Sequence, residues 1–321
     1  MLENKIFVRD VYGIDDSLSI FLTTRVKGIF VVLIFLSHFC QYIDVNKLMY
    51  FGPYLFLRRI LGQLIVAPFL FYSGYGVMEQ IKEKGEDYID DMPKKRIFKT
   101  WIHFALAVLI YLIISLYLRR EYSLSTMFLA FIGWESLGNS NWYIFAILVM
   151  YTCTYLSFKF FRNTKAVWFG FALSLTYIVV MYFAKKGSWW YDTILCFPTG
   201  IFVSYYKRNG DFFIIQRYWS IVIICLTAFA FRENLIVHEL LSIFFCFAII
   251  LLCSHIKIKS RILLFLGRHA FEIYILQRIP MILLQEYIDG YAYMVTCLFV
   301  SIILAVLFKF LERKVDLILK I

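Results

Sequence analysis

Two polar residues stand in the first long apolar run of the sequence, where a charged side chain is expensive to place. Lys27 enters the run, and His38 lies eleven residues further along. At about 100° per residue, eleven steps return to within roughly 20° of the starting direction, about 16 Å further along a helix. Ionisable residues inside a membrane span tend to face a polar cavity and to be functional. We therefore expect one face to carry a cation at the mouth of a site and a proton-accepting imidazole inside it.

Four cations lie close together in segment 92–101, which opens the third long apolar run: Lys94, Lys95, Arg96 and Lys99. Arg96 and Lys99 are three residues apart and hence neighbours on a helix face, and a helix N-terminus adds a partial positive charge. This arrangement favours a phosphate-rich ligand. An anchor on anionic lipid is the alternative interpretation.

The segment 133–143 joins a carboxylate, an amide and aromatic rings in Glu135, Asn141, Trp142 and Tyr143. Sugar-binding surfaces use such groups, because polar edges form hydrogen bonds and apolar faces stack. Aromatic residues also gather at any membrane interface, which is the competing explanation.

A late apolar run contains Arg268 and Glu272, which are four residues apart and can pair on one helix. We interpret this pair as structural rather than catalytic. The remaining histidines lack the spacing of metal ligands, so no metal site is expected. The seven cysteines are scattered without a C-x-x-C pair and are interpreted as free, packed thiols.

The composition is that of a membrane protein. The 321 residues are 62% hydrophobic and 20% aromatic, and 17% are charged, whereas soluble domains carry about 25% charged residues. The net charge of +11 comes from short basic clusters between apolar runs, a pattern of the cytoplasmic membrane surface rather than of a nucleic-acid-binding protein.

The apolar runs predict an all-α polytopic membrane protein with about ten transmembrane helices and a single integral membrane domain over 1–321. Lys and Arg are enriched in alternate loops, which places both termini in the cytoplasm. Residues 1–25 are expected to form an interfacial segment, and 124–134 is too short to cross. The predicted spans are 26–43, 58–78, 97–118, 142–160, 166–184, 190–206, 216–231, 236–254, 262–284 and 290–310.

Five elements of the chain together resemble the integral membrane acyltransferase 3 family, in which an Arg or Lys precedes an essential histidine with ten residues between. The elements occur in the order of the family and span nearly the whole chain. They are Lys27 to His38, Phe71-Tyr72-Ser73-Gly74-Tyr75, Arg96-x-x-Lys99, Trp142-Tyr143 and Leu266-Gly267-x-x-Ala270-Phe271-x-Ile273-Tyr274-Ile275-Leu276.

The resemblance implies a membrane O-acyltransferase that moves an acyl group, often acetyl, from cytoplasmic acyl-CoA to a hydroxyl of a cell-surface or lipid-linked carbohydrate. Acetyl-CoA would be a donor substrate and not a permanently bound cofactor. The partners would be acyl-CoA, a carbohydrate or glycolipid acceptor and membrane lipids, without nucleic acid. The location would be the plasma or inner membrane, and the Ile-, Phe- and Lys-rich composition hints at a bacterial source.

Roles follow for the matching positions. His38 would be the catalytic residue, acting as a general base or as an acyl-histidine. Lys27, Arg96, Lys99 and Arg268 would bind the phosphates of coenzyme A, and Glu135, Asn141, Trp142 and Tyr143 would bind the acceptor.

Two departures from the family pattern affect this assignment. Lys27 and Lys99 replace the commoner arginines, which keeps the charge but loses a bidentate grip on phosphate. Gln277 stands where many members have a histidine, so no catalytic role is carried to it.

A transporter or flippase for lipid-linked glycans is the rival function, since many spans with buried charges also describe carriers. It would require discontinuous helices in matching halves. A structural subunit without activity is the third hypothesis, with His38 as a packed helix-contact residue. The acceptor, the acyl length and the oligomeric state, with a homo-oligomer as one option, stay open.

Overall fold

The computed structural model describes residues 18–43, 60–207, 229, 233–256 and 258–321, and within these ranges the regular structure is helical. Short 3₁₀ turns cover Gly62–Ile65 and Ser188–Trp190, and a π-helical turn covers Pro93–Phe98. The α-helices are α1 (Ile20–Phe39), α2 (Ala67–Lys84), α3 (Glu86–Met92), α4 (Lys99–Tyr117), α5 (Leu124–Phe131), α6 (Trp142–Phe160), α7 (Asn163–Phe183), α8 (Cys196–Tyr206), α9 (Leu235–His255), α10 (Arg261–Arg268), α11 (Ala270–Leu276), α12 (Arg278–Leu284) and α13 (Gly290–Leu319).

Six helical stretches of the described chain are long and apolar enough to cross a membrane. They are α1, the continuous stretch from Glu86 to Tyr117 that joins α3 to α4 through the π-helical turn, α6, α7, most of α9, and α13. A bilayer core about 30 Å thick requires roughly 20 residues of helix. The all-helical, membrane-type architecture predicted from composition is confirmed for these ranges.

Several predicted spans coincide with helices. The span 142–160 matches α6 at both ends, and 166–184 and 236–254 match α7 and α9 within a few residues. The short segment at 124–134 forms the eight-residue helix α5. The cysteines within the described ranges are free thiols, as expected.

The first helix begins earlier than predicted. Residues 20–25 were assigned to the interfacial segment, but they form the first turns of α1. Ser19 caps the helix by accepting a hydrogen bond from the backbone of Leu22, and the Thr24 hydroxyl donates back to the Ile20 carbonyl. These bonds give the Leu22 N–H and the Thr24 hydroxyl hydrogen-bond partners within the helix, so polar residues can form its first turns. Residues 1–17 lie outside the described ranges.

Three other predicted spans differ from the structure. In 190–206 only α8 is α-helical, and its eleven residues reach about 16 Å, too short to cross. In 58–78 the 3₁₀ turn Gly62–Ile65 interrupts the span, and α2 begins only at Ala67. The span 262–284 is divided into α10, α11 and α12. Except for position 229, the span 216–231 lies outside the described residues, so ten crossings and cytoplasmic termini stay predictions.

The interruption between α11 and α12 has a sequence cause. Pro280 has no backbone N–H to donate to the carbonyl of Leu276, and its ring disfavours a continuous helix through the preceding turn. The regular α-helical pattern is interrupted at Gln277, although its backbone keeps right-handed helical torsions and its N–H still donates to the Ile273 carbonyl over 2.9 Å.

Two pairs of glycines let helices cross at backbone contact. A Cβ at Gly28 of α1 would overlap the carbonyl oxygen of Leu263, and one at Gly267 would overlap that of Thr24. In the same way, Gly74 of α2 and Gly200 of α8 each leave room for the other helix. Small residues at such contacts are typical of membrane helix packing.

We expect Gly74→Ala to destabilise the protein, because the added methyl group meets the Phe197 carbonyl oxygen. Overpacking of this kind costs about 1–3 kcal/mol of the free energy of unfolding, which thermal denaturation in detergent would detect. Gly76→Ala is the matched control on the same helix, since a Cβ there meets open space and alanine is the better helix former. Equal melting temperatures for the two variants would contradict the backbone contact.

Candidate active site

A cavity of about 320 Å³ is lined by residues of α1, α2, α4, α6, α11 and α13 and by the end of α10. Charged groups of Lys27, Arg268, Glu272 and Lys309 lie on its wall, whereas other parts of the wall are apolar or aromatic. The aliphatic and aromatic lining includes Val31, Ile34, Phe69, Tyr143, Ile147 and Tyr274. The cavity thus offers both ionic and apolar contacts to a ligand.

Lys27 lies on the cavity wall, as the helical spacing predicts. Its ammonium group forms no ion pair or hydrogen bond with the described residues. The positive charge of Arg96 nearby repels this ammonium group. Arg96 itself lies behind the wall, and its Nε donates to the Tyr88 hydroxyl over 2.9 Å. An uncompensated cation of this kind attracts an anionic ligand.

Lys99 is less available than Lys27 to an anionic ligand, because its ammonium group is paired with a carboxylate. Its ammonium nitrogen lies 2.6 Å from Asp316 Oδ2 on α13, and His103 Nε2 lies 2.8 Å from the other oxygen of the same carboxylate. Glu312, one turn earlier on α13, lies 3.4 Å from His103 Nδ1. Lys99 therefore ties α4 to α13, while the next residue, Thr100, lines the cavity.

The expected pair of Arg268 with Glu272 does not form. The helix is interrupted at His269, so the four-residue spacing no longer places the two side chains on one face. Glu272 instead accepts from Lys309 of α13 over 2.7 Å. Lys309 also donates to the Arg268 carbonyl oxygen, and the Arg268 side chain lines the cavity near Lys27.

His38 lies one turn beyond Ile34, in a cluster of polar side chains. Its Nδ1 is 2.8 Å from Gln277 Nε2 and 3.4 Å from the Ser140 hydroxyl oxygen. Arg278 Nε donates to that Ser140 oxygen over 3.1 Å, and another guanidinium nitrogen donates to Gln41. The imidazole is thus positioned by both the loop before α6 and the break between α11 and α12.

Two tyrosines separate the His38 cluster from the cavity. Tyr274 lines the cavity, and its ring centroid lies 6.0 Å from that of His38. Tyr143 lines the same wall and packs edge-to-face on Tyr274 at 5.6 Å. Tyr274 is therefore in contact with both the cavity and the imidazole.

The side chains of segment 133–143 lie in different parts of the structure. Tyr143 reaches the cavity and Ser140 reaches His38, whereas Glu135 is half-exposed and lies 3.5 Å from Lys186. Asn141 donates to the Gly133 carbonyl oxygen and so closes the loop on itself. Trp142 is buried against the Tyr143 ring. Left-handed backbone at Gly133 and at position 138 makes the turns that this course requires.

Sequence reasoning assigned no role to several residues of the site. Ser140 and Gln277 are uncharged, and Lys309 lies near the end of a long helix, so none gives a local signal. Ser140 and Gln277 belong to the site because both contact His38, which is more than a hundred positions away from each of them in the sequence. No group of three metal-ligating side chains occurs among the described residues, and the absence of a bound metal stays a prediction.

A comparison with protein families assigns most of the chain to one family. The model of a family described as an acyltransferase domain matches residues 24–310. This range includes the cavity, the glycine crossings and His38. Searches of curated proteins and of solved structures gave no match.

We expect Lys309→Met to destabilise the protein, because it leaves the buried Glu272 carboxylate without its cation and beside Glu312. Loss of one partner of a buried pair costs about 3–5 kcal/mol, which corresponds to a drop of several degrees in melting temperature. The double variant Lys309→Met/Glu272→Gln should recover part of this loss, since no charge is then left unpaired.

Lys314→Met is the matched control for that experiment, because Lys314 is exposed on the same helix α13. It should melt like the parent protein. If the double variant melts no higher than Lys309→Met alone, the carboxylate of Glu272 does not depend on Lys309.

Proposed function

The chain belongs to the acyltransferase domain family, and on that premise we propose that it is a membrane O-acetyltransferase. It moves an acetyl group from acetyl-CoA to a hydroxyl of a cell-surface or lipid-linked carbohydrate at the cell membrane. The observation that carries this proposal is the cavity that leads from the uncompensated Lys27 to the tyrosines beside His38.

The charged part of the cavity suits the phosphates of coenzyme A. Lys27 and Arg268 both face it, and neither ammonium nor guanidinium is neutralised by an ion pair with the described residues. Arg96 adds positive potential from behind the wall. Lys99 contributes less, because Asp316 neutralises it. The aliphatic and aromatic part of the lining suits the pantetheine arm and a small acyl group.

His38 is the group for the proton transfer. As the acceptor oxygen forms its bond to the thioester carbon, the imidazole takes the hydroxyl proton. The carbon–sulfur bond breaks, and the proton then passes to the departing sulfur, so the products are an ester and free coenzyme A. The half-exposed Glu135, with Asn141 and Trp142 on the adjoining loop, forms our candidate acceptor surface, and Tyr143 would contact the acyl end.

A glycan carrier is the second candidate, because α10, α11 and α12 are a discontinuous helix of the kind that transporters use at substrate sites. The family match favours the acyltransferase. The two functions differ in their need for a donor, since a carrier consumes no acyl-CoA.

We expect His38→Ala to lower acetyl transfer at least about a hundredfold, the range for loss of a general base. Lys27→Ala should raise the KM for acetyl-CoA about tenfold, because one charge-assisted contact to a phosphate is worth roughly 1.5 kcal/mol or more. The measurement follows label transfer and thiol release from radiolabelled acetyl-CoA in proteoliposomes, with cell-envelope glycan added.

Lys165→Ala removes a cation that is exposed at the start of α7 and should leave KM unchanged. Membrane abundance and gel filtration establish that each variant is folded. Undiminished transfer by folded His38→Ala protein would remove the imidazole from the mechanism, and no acetyl-CoA consumption by the parent protein would favour the carrier.

A further inference from the structure

We propose that Gln277 is a positioning residue that sets the tautomer of His38, with the proton on Nε2 and Nδ1 as the basic nitrogen. The Gln277 amide then turns its oxygen to the ring when Nδ1 becomes protonated. The proposal rests on the proposed function only in assuming that Nδ1 becomes protonated during acyl transfer. The resting tautomer follows from the geometry alone.

The orientation of the amide decides which His38 nitrogen carries the proton. Gln277 Nε2 lies 2.8 Å from His38 Nδ1 and also 3.3 Å from the Tyr274 carbonyl oxygen. A carbonyl oxygen can only accept, so the NH₂ side of the amide must face it. That side therefore also faces His38, and Nδ1 must accept. A neutral imidazole that accepts at Nδ1 carries its proton on Nε2.

Ser140 is compatible with the same tautomer. Its hydroxyl oxygen accepts from Arg278 Nε over 3.1 Å and lies 3.4 Å from His38 Nδ1, where a hydroxyl can either donate or accept. The Gln277 amide, which must present its NH₂ side, therefore decides the tautomer.

The other end of the amide is available for the protonated ring. Gln277 is fully buried, and its Oε1 has no hydrogen-bond partner among the described residues. An imidazolium donates from both nitrogens, so it requires an acceptor at Nδ1. The acceptor hydroxyl must replace the Gln277 N–H at Nδ1 to hand over its proton. A half-turn of the amide then offers Oε1 to Nδ1–H until the proton passes to the departing sulfur, and the turn gives up the weaker bond to the Tyr274 carbonyl. An amide can thus donate to Nδ1 or accept from Nδ1–H, whereas an ionised carboxylate can only accept from Nδ1–H.

Other charged and titratable groups near the ring act less directly. Tyr274 of α11 packs against the imidazole, and Arg278 of α12 reaches it through Ser140. Tyr42 lies beside the Arg278 guanidinium, and Tyr293 of α13 packs on Phe39. Gln277 is the described side chain with the shortest hydrogen bond to Nδ1 that the structure shows.

The experiment is nitrogen NMR of full-length protein in nanodiscs with ¹⁵N-labelled histidine, in which His38→Ala identifies the His38 signals. Above the pH at which the ring titrates, the parent protein should show Nδ1 unprotonated and Nε2 protonated. Gln277→Glu should reverse this, because a carboxylate accepts from Nδ1–H. A parent protein with Nδ1 protonated, or an unchanged tautomer in folded Gln277→Glu protein, would overturn the proposal. This readout requires no enzymatic activity.

Gln41→Glu is the matched control. It introduces the same charge at the end of α1, where Gln41 contacts Arg278 and not the His38 ring, so the tautomer should stay that of the parent protein. If Gln41→Glu also reverses the tautomer, the charge rather than the hydrogen bond is responsible and the proposal fails.

Acetyl transfer then tests the turn of the amide. Gln277→Met keeps the shape but removes both hydrogen bonds, and should lower kcat at least tenfold with little change in the KM for acetyl-CoA. Gln277→His, which again offers a donor and an acceptor, should recover most of the rate. In Gln277→Glu the acidic limb of the kcat profile should move up by about one pH unit or more, since an adjacent carboxylate favours the imidazolium. Equal kcat in Gln277→Met and the parent protein would contradict the role.

Discussion

The site depends on the backbone contact between α1 and α10. Gly28 and Gly267 leave no room for a side chain at this crossing, and each is the direct neighbour of a cation in the sequence. Lys27 precedes the first glycine and Arg268 follows the second, so the same contact that packs the helices brings two positive charges to one cavity. The positive charge of Arg96 also acts on Lys27, and a bound anion would offset these like charges. At the second crossing, Ser73 beside Gly74 also lines the cavity.

The surrounding carboxylates are already committed, which is why the cavity keeps a positive character. Glu272 binds Lys309, and Asp316 binds both Lys99 and His103. These pairs join α11 and α4 to α13 and so fix the walls of the site. Buried pairs of this kind give little net stability but make the loss of either partner expensive. Among the described residues, Lys27 and Arg268 are the cavity-lining cations without an ion pair, and our proposal places the anionic donor substrate there.

Local periodicity places Lys27 and His38 on one side of α1, which is a regular helix from Ile20 to Phe39, but only Lys27 lines the cavity, and His38 lies behind Tyr274. It failed for Arg268 and Glu272, since four-residue spacing implies contact only within an unbroken helix. Lys99 met a carboxylate 217 positions away, and Gln277 met His38 across 239. No property of either residue type identifies such a partner. Contacts between residues so far apart in the sequence depend on how the helices pack. The glycine crossings determine that packing, and the apolar pattern of the sequence does not reveal it.

The most direct measurement of the central claim is photolabelling with an acyl-CoA analogue that carries a diazirine on its short acyl chain, followed by mass spectrometry of the modified peptides. The account predicts adducts on Tyr274, Tyr143 or His38, and these should disappear when excess acetyl-CoA is present. Labelling confined to lipid-facing surfaces, or adducts that acetyl-CoA does not displace, would contradict the claim that the cavity guides the acyl group to the imidazole.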